Sequence, residues 1–198
     1  MLVAAGFAIV IRFADVIRDG RTPAEEPYLF GLMFLLSQLV VMVFVTVRHG
    51  VLVLENKSHP GALHTPLNTS LAWLSITLSA LLVGYAIVYT PLNMIVLIAL
   101  GIVGVASGKD TLKYIGGTKT GPLAWKIEHL GAMLGAGIAY HTAFAVFGMT
   151  RIAELALERW LLLVPWLLPT VVGIPAIILW TRHYRSQAVA SEQRSVDE

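Results

Sequence analysis

Two histidines, His129 and His141, lie within one apolar segment of the chain and are the residues best able to carry chemistry. Histidine inside a membrane helix is costly and usually functional. On a helix their spacing places them about 18 Å apart along the axis and about 120° apart around it. They therefore cannot share one metal ion, but either could bind a haem or another tetrapyrrole. Gly137, four residues before His141, would leave room for such a ring.

The same segment also predicts close helix packing. Gly131, Gly135 and Ala139 recur every four residues, and small residues at this spacing let membrane helices approach closely. On this interpretation Gly135 lies at a close helix–helix contact, or at a helix–ring contact if a cofactor binds. His141 would then donate a hydrogen bond to a neighbouring carbonyl. The sequence leaves the packing and cofactor interpretations open.

A metal site is a further expectation, because most of the histidines are predicted near one membrane face. Imidazole suits zinc, copper, iron and nickel, and His49 and His129 are the candidate ligands. The spacing supplies no third ligand on a helix, and no motif identifies a catalytic residue. The histidines of this face are His49, His59, His64, His129 and His183.

Charged residues within apolar segments allow a third interpretation. Glu128 precedes His129, and Arg12 and Asp15 fall within the first apolar run, where they could pair. Ionisable groups in membrane helices often form proton relays. Glu128, His129 and the Arg12–Asp15 pair could therefore serve a proton-coupled carrier.

The amino-acid composition indicates what kind of secondary structure holds these residues in place. The chain of 198 residues is 57% hydrophobic and 13% charged, with a mean hydropathy of +0.75, which predicts an integral membrane protein. We expect an all-α fold, a bundle of about six transmembrane helices, because each span needs about 20 apolar residues. No repeat or linker divides the chain, so residues 1–198 are predicted to form a single transmembrane domain. The expected spans are residues 2–17, 29–47, 70–90, 92–107, 123–148 and 160–181.

Local signals refine this expectation. The third and fourth runs should form a hairpin with a turn at residues 89–93, because Pro91 and Asn93 favour turns. Pro169 and Pro175, with Pro165, should interrupt the last helix. Ser37 and Gln38 are expected to form interhelical hydrogen bonds. Residues 2–17 either span the membrane or lie in its interface as an amphipathic helix.

The charge distribution predicts orientation and partners. Nine Lys and Arg residues fall on one side of the six-span arrangement and four on the other, so both termini are expected in the cytoplasm. The net charge of +2 gives no reason to expect a nucleic-acid partner, and the absence of Cys excludes thiolate chemistry. The expected partners are the lipid bilayer and other transmembrane helices, in homo- or hetero-oligomers.

Residues 125–144 resemble a pattern in bacterial multi-helix membrane proteins that include relatives of the DUF2306 group. The resemblance covers about a tenth of the chain, and the remainder lacks the His-Arg-x-x-Gly-Arg type of segment found before a helix in that group. It implies a location in the bacterial inner (cytoplasmic) membrane and no particular chemistry. The residues that carry it are Trp125, His129, Met133, Ile138, Ala139, Thr142, Ala143 and Phe144.

Three hypotheses follow. The first is a membrane protein that binds a redox cofactor through His141 or His129, as part of a larger electron-transfer complex. The second is an accessory or scaffold subunit without a cofactor, whose small-residue ridges contact partner helices. The third is a small proton-coupled transporter.

Overall fold

The computed structural model describes residues 11, 14–16, 18–91, 94–121, 123–143 and 164–197. Within these ranges there is no strand, so the all-α prediction is confirmed for the described part of the chain. The residues form two compact units, 1–45 with 64–116 and 46–63 with 117–198; a single domain stays a prediction. The helices are α1 (Pro27–Glu55), α2 (Pro66–Tyr89), α3 (Met94–Ile115), α4 (Ala124–Ala143) and α5 (Val164–Asp197), with a 3-10 turn at Pro60–Leu63.

Three of the described helices, α1, α2 and α3, are long and apolar enough to cross a membrane. They contain 29, 24 and 22 residues, which correspond to about 33–44 Å of helix, and the hydrocarbon core is about 30 Å thick. The mean hydropathies of their most apolar windows are 2.4, 2.0 and 1.7. These helices fit the prediction of a helical membrane protein.

The first unit exposes many apolar side chains and buries a few polar ones within a largely apolar core. Val88 on α2 and Ile95 on α3 are 72% and 79% exposed, whereas Gln38 and Ser79 are 1% and 0% exposed. Gln38 Nε2 donates to Ser79 Oγ over 2.8 Å, and Ser79 Oγ donates to the Ser75 carbonyl over 2.7 Å. The interhelical bond predicted for Gln38 is therefore confirmed, and the exposed apolar surface suits lipid as the solvent.

Glycines of α3 bring it close to α2. A Cβ added at Gly101 would lie 2.9 Å from the Ser79 carbonyl oxygen, and one at Gly108 would lie 3.2 Å from the Ala72 carbonyl oxygen. At Gly104 an added Cβ would overlap the hydrogen-bonded atoms of Gln38 and Ser79. The absence of side chains at these positions therefore lets the backbones of α2 and α3 come into direct contact.

Ser37, the other residue expected to bond between helices, bonds within its own helix. Its Oγ donates to the Met33 carbonyl over 2.9 Å. A serine in a helix often satisfies its hydroxyl in this way, because the carbonyl four residues earlier is within reach. The prediction of an interhelical bond is therefore wrong for Ser37.

The ends of α2 follow from local sequence. Thr65 caps its start, since its side chain accepts a hydrogen bond from the Asn68 N–H over 3.2 Å, and Pro66 suits the first turn. The helix ends at Tyr89, where Thr90 has a φ of 41° and its N–H bonds the Ala86 carbonyl. The predicted break between the third and fourth runs is confirmed at Thr90; residues 92–93 lie outside the described residues.

Two helices extend beyond the apolar runs that predicted them. Helix α1 continues through Glu55 rather than ending near residue 47, because backbone hydrogen bonding does not stop where the apolar run stops. Helix α5 continues through Pro169 and Pro175, so the expectation that prolines interrupt it is wrong. Membrane-type helices tolerate proline when neighbouring groups satisfy the freed carbonyls.

Most of the first expected span, residues 2–17, lies outside the described residues, as does Arg12. The carboxylate of Asp15 lies 3.9 Å from Arg18, and Arg21 pairs with Glu26 over 2.9 Å. Asp15 therefore has an ion-pair partner one turn later on its own segment.

Candidate functional site

The second unit buries a carboxylate against a histidine. His49 lies near the end of α1 and Glu128 near the start of α4, and their side chains are 6% and 7% exposed. His49 Nε2 lies 2.9 Å from Glu128 Oε1. Since an ionised carboxylate can only accept, this geometry makes Nε2–H the donor.

Lys119 completes the site from the segment before α4. Its Nζ lies 2.6 Å from Glu128 Oε2, and its side chain is 32% exposed. Glu128 therefore accepts from a different cation-forming side chain at each oxygen. We call His49, Glu128 and Lys119 the buried triad, in which Lys119 is the member nearest to solvent.

His129 lies beside the triad and bonds the next residue of α1. Its Nδ1 lies 2.8 Å from the Gly50 carbonyl oxygen. Because a carbonyl can only accept, Nδ1 carries a proton, and in the neutral ring Nε2 then presents a lone pair. Its Nε2 has no hydrogen-bond partner within the described ranges.

Gly50 allows this close approach of the two helices. A Cβ added there would lie 3.1 Å from Ala132 Cβ and 3.8 Å from the His129 carbonyl oxygen, and would overlap the end of the Met133 side chain. A larger residue would push α4 away from the end of α1. The triad therefore depends on a glycine that sequence reasoning did not select.

The remaining predicted cofactor residues are separate from the triad. His141 is exposed near the end of the described part of α4, and its Nδ1 bonds the Gly137 carbonyl over 2.8 Å. This bond lies within its own helix, so the donation to a neighbouring carbonyl expected from helix packing stays a prediction. His129 and His141 do not come together, as their spacing predicted.

The glycines of α4 do not make the expected helix contact with any described element. A Cβ added at Gly131, Gly135 or Gly137 would meet no described atom within 4 Å. The close helix–helix contact predicted at Gly135 is therefore not made within the described part of the chain, and the helix–ring alternative stays a prediction. Glycines of α3 form the close packing instead.

The structure supplies only some of the ligands that the predicted metal site would need. His49 and His129 lie on neighbouring helices, but His49 Nε2 is bonded to Glu128. Among the described residues, no group of three His, Cys, Asp or Glu side chains is arranged to hold a metal ion. A metal at His129 stays a prediction.

Sequence reasoning singled out Glu128, His129 and His49 but missed Lys119 and Gly50. Lys119 falls in a turn rich in glycine and threonine, where a lone cation is usually solvated. The one signal in the sequence for this contact is a glycine, Gly50, directly after a histidine, His49, near the end of a helix. It identifies a close contact only when the partner helix is known.

No family model, curated protein or solved structure matches this chain. The resemblance of residues 125–144 to the DUF2306 group therefore stays a prediction. Function has to be inferred from the buried triad and its surroundings.

Proposed function

We propose that this is a helical membrane protein that binds and releases a proton at the buried triad, as a small proton-coupled transporter does. The proposal includes a bundle of about six spans in the bacterial inner membrane with both termini in the cytoplasm. It rests on the three apolar helices α1, α2 and α3 and on the Lys and Arg asymmetry of the sequence.

The observation that carries the proposal is the burial of Glu128 between His49 and Lys119. Removing a carboxylate from water is costly, and buried ionisable groups of membrane proteins are functional by default. An ion pair needed only for stability would be complete with Lys119. The additional histidine supplies a second side chain that can carry a proton.

The geometry allows a proton to be added without breaking the contacts. His49 donates from Nε2 both as the neutral ring and as the imidazolium, so its bond to Glu128 survives protonation. A proton on Glu128 would instead weaken one contact, because each of its oxygens faces a donor. His129, a titratable group adjacent to Glu128 in α4, has its Nδ1 proton engaged by the Gly50 carbonyl.

Infrared difference spectroscopy of the protein in lipid membranes tests this proposal. Between acidic and alkaline pH we expect a carboxylic-acid or imidazolium signal that disappears in Glu128→Gln. His49→Gln, which keeps a donor but cannot be protonated, should alter the same signal. Proteoliposomes that contain a pH-sensitive dye should also lose proton flux in both variants.

Glu55→Gln is the matched control, because it makes the same chemical change at an exposed carboxylate near the end of α1. It should leave the signal and the flux unchanged. A wild-type spectrum without either signal would refute proton binding at the triad. A signal equally present in Glu128→Gln and wild type would assign the proton to another group.

A histidine-ligated redox cofactor is the second candidate. His129 and His141 each engage a backbone carbonyl through Nδ1, which fixes the tautomer in which Nε2 can bind a metal, as in ligating histidines. This observation supports the expectation of a haem or related ring. The absorption spectrum of the purified protein tests it, since a protein without a visible or near-infrared band carries no such ring.

A further inference from the structure

The second unit carries two lysine-over-ring contacts that meet at the start of α4. The Lys57 ammonium lies 5.7 Å from the centre of the Trp125 ring, and the Lys126 ammonium lies 4.1 Å from the centre of the Tyr184 ring. Trp125 and Lys126 are adjacent, so both contacts involve the first turn of α4. We call these four residues the basic–aromatic cluster.

The cations of the cluster are not neutralised by described carboxylates. Neither Lys57 nor Lys126 has an ion pair in the described part of the chain, whereas Lys119 nearby pairs with Glu128. Glu55 is exposed two residues before Lys57 but forms no ion pair with it. Arg182 and Arg185 lie on either side of Tyr184 in the sequence, are exposed, and form no ion pair with any described residue.

The cluster combines the two residue classes that occupy the membrane–water interface. Tyrosine and tryptophan rings favour the headgroup level, where one end is apolar and the other is wet. Lysine and arginine at that level attract anionic headgroups. The contacts with Trp125 and Tyr184 also hold the two ammonium groups in place, which lowers the entropy lost when an anion binds.

The members of the cluster also lie near the ends of helices or of apolar segments. Lys57 follows the end of α1, Trp125 lies in the first turn of α4, and Tyr184 follows the apolar part of α5. The predicted topology puts all three on the cytoplasmic side, but the contacts themselves do not depend on that orientation.

We propose that the basic–aromatic cluster binds the phosphate headgroup of an acidic phospholipid. Lys57 and Lys126 supply the positive charge, and the aromatic rings locate the site at headgroup depth. The ligand is a lipid rather than a soluble anion because the same four residues provide both charge and an interfacial apolar surface. This site is separate from the buried triad and does not depend on the proposed proton binding.

Lipid binding can be measured on the full chain by native mass spectrometry and by thermal unfolding in nanodiscs. Phosphatidylglycerol should remain bound more tightly than phosphatidylcholine and should raise the unfolding temperature more. The Lys57→Gln/Lys126→Gln variant should bind phosphatidylglycerol about thirtyfold more weakly, since each lysine near an anionic headgroup contributes attraction. Lys57→Arg/Lys126→Arg should retain binding, because it keeps both charges.

Lys109→Gln/Lys113→Gln is the matched control, since it removes two charges from exposed lysines of α3 in the first unit. It should leave phosphatidylglycerol binding within about twofold of wild type. Equal losses in the two double variants would overturn the proposal in favour of general surface charge. Equal stabilisation by inorganic phosphate would overturn it in favour of a small soluble anion.

Discussion

His49 and Glu128 are 79 residues apart in the sequence, yet their side chains meet over 2.9 Å. The next pair, Gly50 and His129, has the same separation and meets over 2.8 Å. Two consecutive contacts therefore align the end of α1 with the start of α4. The first joins two ionisable side chains, and the second joins a side chain to the backbone.

Replacing His49 should test the energetic role of this alignment. His49→Leu leaves Glu128 Oε1 buried without its donor, and we expect the free energy of unfolding to fall by about 1–3 kcal/mol. His49→Gln should recover most of the loss, because its amide can donate. Chemical unfolding in detergent measures both. His59→Leu, at an exposed position, is the control and should change little; equal losses at His49 and His59 would contradict the prediction.

Gly50 should not tolerate a branched residue. Gly50→Val adds atoms against Ala132 and Met133, so we expect α4 to move away from α1 and the protein to lose about 1–3 kcal/mol of stability. Gly84→Val is the matched control, because a Cβ at Gly84 meets no described atom within 4 Å. Comparable losses in the two variants would mean that helix propensity, not contact, decides the effect.

Gln38 and Ser79 should respond asymmetrically. Gln38 Oε1 is buried and has no hydrogen-bond partner in the described structure, whereas Ser79 Oγ still donates to the Ser75 carbonyl when Gln38 is replaced. We expect Gln38→Met to change stability by less than about 1 kcal/mol. Ser79→Ala should cost about 1–3 kcal/mol, because it removes the oxygen acceptor of the buried amide and leaves it only the weak sulfur acceptor of Met42. Thermal unfolding of both variants checks the order, and the reverse order would rule the explanation out.

Two glycine substitutions should distinguish the closely packed glycine of α3 from the glycine of α4. Gly104→Leu places a side chain against Gln38 and Ser79 and should lower the unfolding temperature strongly. A Cβ at Gly135 meets no described atom within 4 Å, so Gly135→Leu should lower it much less. A larger effect at Gly135 would show that another helix or a ring covers it.

His141 should contribute little to stability. It is exposed, and its hydrogen bond goes to Gly137 of its own helix, so His141→Ala should change the free energy of unfolding by less than about 1 kcal/mol. If His141 binds a cofactor, the same variant should lose the absorption band while folding normally. A stability loss of several kcal/mol without a spectral change would contradict both expectations.

The sequence by itself determined the helical class, the apolar runs of α1 to α3 and the break at Thr90, because hydropathy and turn chemistry act locally along the chain. It also identified Gln38 as a residue that bonds between helices. It misjudged the end of α1, since Arg48 and His49 end the apolar run but do not end backbone hydrogen bonding.

Only the tertiary structure decided which helix faces meet. The meeting of His49 with Glu128, the approach at Gly50 and the packing of α2 on Gly101, Gly104 and Gly108 depend on the rotation of each helix about its axis. Most of these helices carry apolar residues on all their faces, so the spacing of apolar residues along the sequence does not identify the contacting face. The small residues on α3 and α4 look equivalent in the sequence, and their neighbours in space distinguish them.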